Sequence, residues 1–319
     1  MSVNYISEQF LDFDHFRSVL SGWDVDVTQL SRGALQLNWS EVVFDNQLML
    51  SHLKSNRSLA DRMAIDSGYM KFVVCFTPNV FCGLEVPGGS MLIFAPGREY
   101  RNVLPAGFES FEICASNDFL REMGLEIGDH GFGDLYPENC VLSIGEADLK
   151  RFRLLSQTLS ELTMLQNHSF WIIAARERAI SLTVGVLEGL GRTNVPDIEN
   201  QISGWLLTVR ALNLIDEQGS QPATIAEIST SIGCTSRALQ VAFQSSLGVT
   251  PLQYKLAKRL QFTRYALLTA QPDNESVTRI AVEHEFFHFG RFSQYYKALF
   301  GESPSVTLKR VDQVRSGLR

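Results

Sequence analysis

The sequence predicts an α+β protein, with a strand-rich N-terminal domain followed by an all-helical C-terminal domain. Short apolar or alternating runs, separated by Gly, Pro, Asn and Asp, occupy roughly residues 24–115, which is typical of an antiparallel β-barrel or sandwich. From about residue 146 the apolar residues recur every three or four positions, as they do in helices. The third observation is a motif that occurs twice near the C-terminus and indicates paired helices.

The composition allows two domains with separate cores. The chain has 319 residues, of which 45% are hydrophobic, and its net charge is -7. The charge is unevenly distributed, because residues 201–319 hold 13 basic and 9 acidic groups whereas the first 200 hold 15 and 26. An acidic body joined to a mildly basic module fits a sensor fused to an anion-binding domain, although many two-domain enzymes share this asymmetry.

Cysteine usage and the N-terminal residues predict a cytoplasmic protein. Five Cys are scattered without a CxxC pair, so reduced thiols are expected rather than a disulfide framework. The N-terminus lacks the basic and apolar regions of a signal peptide. No stretch reaches about 18 uninterrupted apolar residues, so no membrane span is expected.

The order of elements follows from the apolar pattern. Residues 6–20 predict an amphipathic helix, and two helices are expected over about 146–190. These two helices either cover the strand domain or pack against their copies in a dimer. The predicted domains are 1–190 and 201–319, and a Gly- and Pro-containing linker joins them at 191–200. The strand candidates are the runs ALQLNWSEVVF, QLMLSHL, YMKFVVCF, VFCGLEV, SMLIFA and SFEICA.

The doubled motif consists of FQSSLGVTP at 243–251 and YKALFGESP at 296–304. In each copy the Gly is expected to end a helix in a left-handed conformation. The Thr or Ser that follows can cap the next helix, and the Pro fits its first turn. A short helix and a turn precede each copy, so the sequence predicts two helix-turn-helix arrangements.

The second helix of each arrangement has an apolar face for packing and a polar face for reading DNA. Arg, Gln and His in the first turns of a major-groove helix can contact base edges. The predicted base-contact residues are Ser236, Arg237, Gln240 and Gln244 in the first copy, and His288, Arg291 and Gln294 in the second.

A helix of about 20 residues is predicted between the copies, at 251–270. At 1.5 Å per residue it spans roughly 30 Å, which is close to the roughly 34 Å of one DNA turn. It can therefore hold the two reading helices over successive major-groove segments. Its predicted phosphate contacts are Lys255, Lys258, Arg259 and Arg264.

Residues 205–310 closely resemble the AraC/XylS family of transcription regulators, and the most specific piece is HFGRFSQYYKALFGESPSVTLKR. The resemblance implies double-stranded DNA and RNA polymerase as partners, a role in activation, and a homodimer. It also implies a cupin-like barrel that senses an effector, with dimerising helices behind it. One residue departs from the family pattern, since Glu285 replaces the usual Gly at the second turn. A positive φ there would cost about 1 kcal/mol or more.

A small-molecule effector is expected at the N-terminal domain, with an anion as one option. Arg98 and Arg101 can form a fork for a carboxylate or phosphate, although two solvated arginines are the plainer interpretation. Trp39 and Tyr69 are further candidates for lining a pocket, although aromatic residues in strands more often belong to the core.

An enzyme is not expected, and neither is a cofactor or a metal. A metal-dependent cupin needs clustered His and Glu, whereas this region has only His52 and His130, without H-x-H spacing. A DNA-repair enzyme with the same reading module would need an activated Cys, and none neighbours a His or a basic cluster. The remaining alternative is a constitutive DNA-binding regulator whose N-terminal domain only dimerises.

Overall fold

The computed structural model describes residues 3–13, 15–16, 24–123, 141–164, 169–188, 199–217, 223–270 and 275–316. The chain divides into two compact units. The first consists of Met1–Asp26 and Gln36–Ile198, and the second of Val27–Leu35 and Glu199–Arg319. Most of the expected linker, 191–198, lies outside the described residues, and residues 199 and 200 begin a helix.

The first unit contains two antiparallel sheets. The seven-stranded sheet has the order β1-β3-β4-β11-β6-β9-β12, and the five-stranded sheet has the order β2-β5-β10-β7-β8. The strands are β1 (Val3–Phe10), β2 (Asp24–Gln29), β3 (Leu37–Phe44), β4 (Leu48–Ser55), β5 (Leu59–Ala64), β6 (Tyr69–Cys75), β7 (Asn79–Phe81), β8 (Leu84–Val86), β9 (Ser90–Phe94), β10 (Glu99–Leu104), β11 (Glu109–Ser116) and β12 (Val141–Ser143).

The predicted N-terminal helix over residues 6–20 is wrong over residues 6–10, which form a strand. Residues Val3–Phe10 form strand β1, which pairs antiparallel with β3 from Val3 opposite Phe44 to Phe10 opposite Leu37. The apolar residues of this segment satisfy a helical period equally well, but β3 supplies hydrogen-bond partners that an isolated short helix lacks. In the remainder of the expected helix, residues 13, 15 and 16 are helical, and residues 14 and 17–20 lie outside the described residues.

The helices of the first unit with described bounds are α1 (Asn117–Glu122), α2 (Glu146–Met164) and α3 (Ser169–Glu188). Helix α2 packs on the seven-stranded sheet, where the rings of Phe152 and Phe111 lie 6.1 Å apart between centroids. His52 Nδ1 on β4 lies 2.9 Å from Ser160 Oγ on α2. Of the two roles left open for the helices, covering the sheet is therefore the one that α2 fulfils within a single chain.

The second unit contains the paired helices. One core cluster of this unit joins residues from three helices, and its buried aromatic residues are Phe286, Phe292 and Tyr296. The helices are α4 (Glu199–Glu217), α5 (Ile225–Ser231), α6 (Ser236–Leu247), α7 (Pro251–Thr269), α8 (Val277–Glu283), α9 (Phe289–Phe300) and α10 (Pro304–Ser316). Within the aromatic cluster near the C-terminus, Phe286, Phe292 and Tyr296 are buried, whereas Phe287, Phe289 and Tyr295 are exposed.

The segment Val27–Leu35, which includes the last three residues of β2, completes the second unit. Gln29 Nε2 donates to the carbonyl oxygen of Leu299 at 2.7 Å, and the Gly33 amide donates to the carbonyl oxygen of Ala298 at 3.0 Å. The last carbonyl groups of a helix have no partner within the helix, so this segment satisfies the C-terminal end of α9. Among the described helices, none combines the length and apolar character needed to cross a bilayer.

Candidate nucleic-acid interface

The first helix-turn-helix arrangement is α5, a turn and α6. Thr224 caps α5 by a reciprocal pair of hydrogen bonds with Glu227. The turn passes through Gly233, whose φ is 74°. Thr235 then caps α6, because its hydroxyl oxygen accepts from the amide of Ala238 at 3.1 Å. Each boundary therefore has a local chemical cause that is visible in the sequence.

The second arrangement is α8, a turn and α9. Ser276 caps α8 by accepting from the amide of Arg279 at 3.2 Å. Glu285 occupies the turn with a φ of 60°, so the left-handed conformation is present although the residue is not Gly. His288 stands at the start of α9 without a side-chain capping bond, which leaves its imidazole available for another partner.

The two Gly residues of the doubled motif end their helices as predicted. Gly248 has a φ of 68° and Gly301 a φ of 78°, both left-handed. Thr250 caps α7 together with Gln253, and the hydroxyl oxygen of Ser303 accepts from the Val306 amide at 3.4 Å. The repeat in the sequence therefore corresponds to a repeat in the structure.

Helices α6 and α9 each present one buried and one exposed face. The buried face includes Leu239 and Phe243 on α6, and Phe292 and Tyr296 on α9. All seven predicted base-contact residues are exposed, namely Ser236, Arg237, Gln240, Gln244, His288, Arg291 and Gln294. Their contacts with bases remain predictions.

Gln244 differs from the other base-contact candidates. Its side-chain amide donates to the carbonyl oxygen of Gly248 at 3.1 Å, so it closes the end of its own helix. Reading a base would require this bond to be exchanged for a bond to DNA. We therefore rank Gln244 below the residues of the first two turns.

Two of the predicted phosphate contacts are buried and have internal partners. Lys258 is 4% exposed, and its ammonium group lies 3.6 Å from Asp216 Oδ1. Arg264 is 5% exposed and donates to Glu302 Oε1 at 2.7 Å. A phosphate would have to displace these carboxylates from the interior, so the structure argues against both residues as clamps.

The other two phosphate candidates are half-buried. Lys255 donates to the carbonyl oxygen of Ala223. The guanidinium of Arg259 lies 4.2 Å from the ring centroid of Phe286 and 4.0 Å from a Glu285 carboxylate oxygen. Both side chains thus help to hold the domain together at positions where only part of each reaches solvent.

Exposed basic residues that the motif did not single out lie elsewhere in this unit. Lys297 is exposed on α9, three residues beyond Gln294, and residues three apart share a helix face. Arg210 on α4 and Lys309 on α10 are also exposed. The sequence signal for Lys297 is its position three residues after Gln294, because this spacing places the ammonium group beside the reading face.

The effector candidates occupy different settings in the first unit. Trp39 is 5% exposed, and its Nε1 has no hydrogen-bond partner among the described residues. The Tyr69 hydroxyl donates to the carbonyl oxygen of Asn46 at 2.8 Å. Arg101 is buried on strand β10 rather than placed in a loop, whereas half-buried Arg98 precedes that strand. An arginine fork made of two loop residues is therefore not what the structure shows.

A cluster of buried polar side chains lies between strands of both sheets. Lys71 Nζ is 2.7 Å from Glu112 Oε2, and Asn102 Nδ2 donates to Asp61 Oδ1 at 2.6 Å. Burial raises the pKa of Glu41 to about 7, although the nearby Lys71 opposes this shift. Burial likewise raises the pKa of Asp61 to about 7. The interior of this unit is thus acidic and holds carboxyl groups that titrate near neutrality.

A metal site would require His, Cys, Asp or Glu side chains to lie close together. Across the described ranges, no group of three or more His, Cys, Asp or Glu has the spacing of a metal site. His52 is held between Ser160 and Glu109, and burial lowers its pKa. His130 lies outside the described residues.

Comparison with known proteins agrees with this geometry. A helix-turn-helix domain family matches residues 228–310. A probable thc operon regulatory protein of Rhodococcus erythropolis is 43% identical over 101 residues, and an XylDLEGF operon transcriptional activator of Pseudomonas putida is 32% identical over 101 residues. Each alignment covers 32% of this chain and 30% of the relative.

A solved structure of a probable AraC family transcriptional regulator from Rhodopseudomonas palustris is 31% identical, with a TM-score of 0.32. The match covers 33% of this chain and 97% of the solved chain. The matched region coincides with the two arrangements described above, since residues 228–310 run from α5 into α10. The C-terminal part of this protein is a helix-turn-helix domain of the AraC/XylS type.

Proposed function

We propose that this protein is a sequence-specific, DNA-binding transcription regulator that acts as an activator. The observation that carries the proposal is the pair of capped helices, α6 and α9, with exposed polar faces. Helix α7 has 19 residues and spans roughly 29 Å at 1.5 Å per residue. That length suits the insertion of two helices into successive major-groove segments, roughly 34 Å apart.

Arg237 and Arg291 are the proposed guanine readers of the two helices. An exposed Arg near the start of a major-groove helix can bond guanine O6 and N7 together, and such a pair discriminates by about 1–3 kcal/mol. Replacement of either residue by Ala should therefore weaken binding to the operator and relax the preference at one base position.

Band-shift assays with the DNA that flanks the coding region test this proposal. We expect a specific complex that resists unrelated competitor DNA and is weakened by Arg237→Ala and by Arg291→Ala. Arg279→Ala is the matched control, because Arg279 is exposed on α8 and pairs with Glu283 at 2.9 Å. Equal binding to all sequences, or equal loss in all three variants, would refute the assignment of the reading helices.

The first unit is proposed to bind a small-molecule effector in its polar interior. Trp39 Nε1 and Asn102 Oδ1 are buried without a hydrogen-bond partner among the described residues, and leaving such groups unpaired is costly. Three carboxyl groups surround one ammonium group there. This charge favours an effector rich in hydrogen-bond donors over an anion.

Thermal-shift screening separates a sensor from a constitutive regulator. A ligand that binds only the folded protein raises the apparent melting temperature. We expect stabilisation by neutral or cationic polar compounds, and no stabilisation by the same compounds in Asn102→Leu. A chain that no compound class stabilises, yet that binds its operator, would favour the constitutive alternative.

The regulator is further proposed to act as a homodimer. Leu154 on α2 is 65% exposed and Ile173 on α3 is 41% exposed. Exposed apolar side chains on two neighbouring helices suit a contact with a second copy. Sedimentation of the full chain should give the mass of a dimer. We propose that this dimer recruits RNA polymerase at the promoter.

A further inference from the structure

Val241 is an exposed aliphatic residue on a surface that is otherwise polar. It lies on α6 and is 61% exposed. Its exposed neighbours on the helix are Arg237, Gln240, Gln244 and Ser245. The hydrophobic core of the domain does not use it, because the packing face of α6 is made by Leu239, Ala242, Phe243 and Leu247.

The two reading helices can be superposed by their boundaries. Both have 12 residues, and both end at a left-handed Gly. Counted from its first residue, Val241 is the sixth residue of α6, and Gln294 is the sixth residue of α9. The same place on the two helices therefore carries an apolar side chain in one copy and an amide in the other.

Val241 is also placed correctly relative to Arg237. The two residues are four apart, so they share one face of α6. Four residues advance about 6 Å along a helix, which is close to the separation of two base pairs at about 3.4 Å each. A base contacted by Val241 thus lies within about two base pairs of the base contacted by Arg237.

In the major groove, thymine differs from the other bases by its C5-methyl group, which accepts apolar contacts but no hydrogen bond. We propose that Val241 contacts a thymine methyl group and so gives the first helix-turn-helix a thymine preference beside the guanine read by Arg237. This inference rests on the proposed function and adds the base chemistry that the first reading helix selects. At the matching position of α9, Gln294 would instead bond adenine N6 and N7.

Deoxyuridine substitution isolates the methyl group, because it removes the C5-methyl of thymine and changes nothing else. Each thymine of the bound operator is replaced in turn, and affinity is measured by band shift. We expect one or two positions at which deoxyuridine weakens the wild-type complex about 3- to 5-fold, the factor for loss of one apolar methyl contact. Val241→Ala should weaken the thymine complex similarly and should no longer respond to deoxyuridine at that position.

Two further variants sharpen the result. Val306→Ala makes the same side-chain change at a residue that is 50% exposed on α10 and belongs to neither reading helix, and it should leave affinity and deoxyuridine sensitivity unchanged. Val241→Gln should shift the preference at the sensitive position from thymine towards adenine.

The possible failures are distinguishable. If no sequence-specific complex forms, the proposed function itself is refuted. If a specific complex forms but Val241→Ala keeps the full deoxyuridine sensitivity, or if no position is sensitive, the proposed function stands and the thymine contact is overturned.

Discussion

Glu285 holds a backbone conformation that its residue type disfavours. Its φ is 60°, and the corresponding turn of the first arrangement uses Gly233 with a φ of 74°. A left-handed conformation costs an L-residue roughly 1–2 kcal/mol relative to Gly. The turn geometry of the helix-turn-helix is therefore kept in the second copy at a local cost, which the packing of Phe286 and Phe292 at 4.7 Å helps to offset.

We expect Glu285→Gly to raise the free energy of unfolding by about 1 kcal/mol. The loss of the Glu285 pairing with Arg259, at 4.0 Å and partly exposed, should reduce this gain only slightly, since exposed ion pairs contribute about 0–1 kcal/mol. Denaturant titration of the full chain measures the change.

Gly233→Ala provides the opposite control for this substitution. A Cβ atom at Gly233 would meet no atom within 4 Å, so the variant reports backbone strain without a clash. Its unfolding free energy should fall by about 1 kcal/mol. If Glu285→Gly instead lowers the stability, the Glu285 side chain contributes more than its backbone costs.

Among the elements, those with local chemical boundaries were predictable from the sequence. Thr235, Gly248 and Thr250 fix the ends of α6 and the start of α7 by capping and by a left-handed residue, and all three signals are short-range. The strand runs were also recognised, because apolar and β-branched residues alternate with turn residues.

Elements whose identity depends on distant partners were not predictable. Strand β1 forms because β3 pairs with it, and strand β10 contains a buried Arg101 that resembles a loop residue in the sequence. From the sequence alone, Lys258 and Arg264 are expected to be exposed cations. The structure shows that Asp216 lies beside Lys258 and Glu302 beside Arg264. Residue type and helical period do not reveal such partners, since they come from other helices.

The ends of α6 and α9 give an element-scale prediction. Gly248 and Gly301 are both left-handed, but a Cβ at Gly248 would meet nothing within 4 Å, whereas one at Gly301 would lie 2.8 Å from the backbone nitrogen of Ala34. We therefore expect Gly248→Ala to lower the unfolding free energy by about 1 kcal/mol. Gly301→Ala should lower it by about 2–4 kcal/mol, because overpacking adds to the strain.

Denaturant midpoints of the two Ala variants check this difference. A third variant, Ala34→Gly, removes the Cβ that lies 2.9 Å from the added atom. Combined with Gly301→Ala it should recover part of the loss. Equal destabilisation by Gly248→Ala and Gly301→Ala would show that Val27–Leu35 does not pack against α9 in solution.

At the scale of the whole molecule, a net charge of -7 has to be reconciled with binding to DNA, which is itself negatively charged. The basic excess lies in residues 201–319, but Lys258 and Arg264 are neutralised inside the domain. We therefore expect exposed cations such as Lys297 to make the phosphate contacts. DNA binding with few phosphate contacts has a shallow dependence on salt, because few counterions are released.

Substitution of Arg264 should therefore affect stability, whereas substitution of Lys297 should affect the salt dependence of DNA binding. Arg264→Ala removes the 2.7 Å partner of Glu302, which keeps its ion pair with Arg310 and the hydrogen bond from Thr307, so the unfolding free energy should fall by about 2 kcal/mol. The slope of log affinity against log salt should not change for the protein that remains folded. Lys297→Ala should leave stability nearly unchanged and flatten that slope by about one unit, the effect of losing one phosphate contact.

Band shifts over a range of salt concentrations, paired with denaturant titrations, separate these two effects. Arg264→Lys is the conservative control, because it keeps the charge and loses only the fork geometry, and it should recover part of the stability. A flatter salt slope in Arg264→Ala with unchanged stability would place Arg264 on the DNA. The structure predicts the reverse, since Arg264 also lies 4.9 Å from the ring centroid of Phe300 and 3.4 Å from the Tyr296 hydroxyl, inside the packed domain.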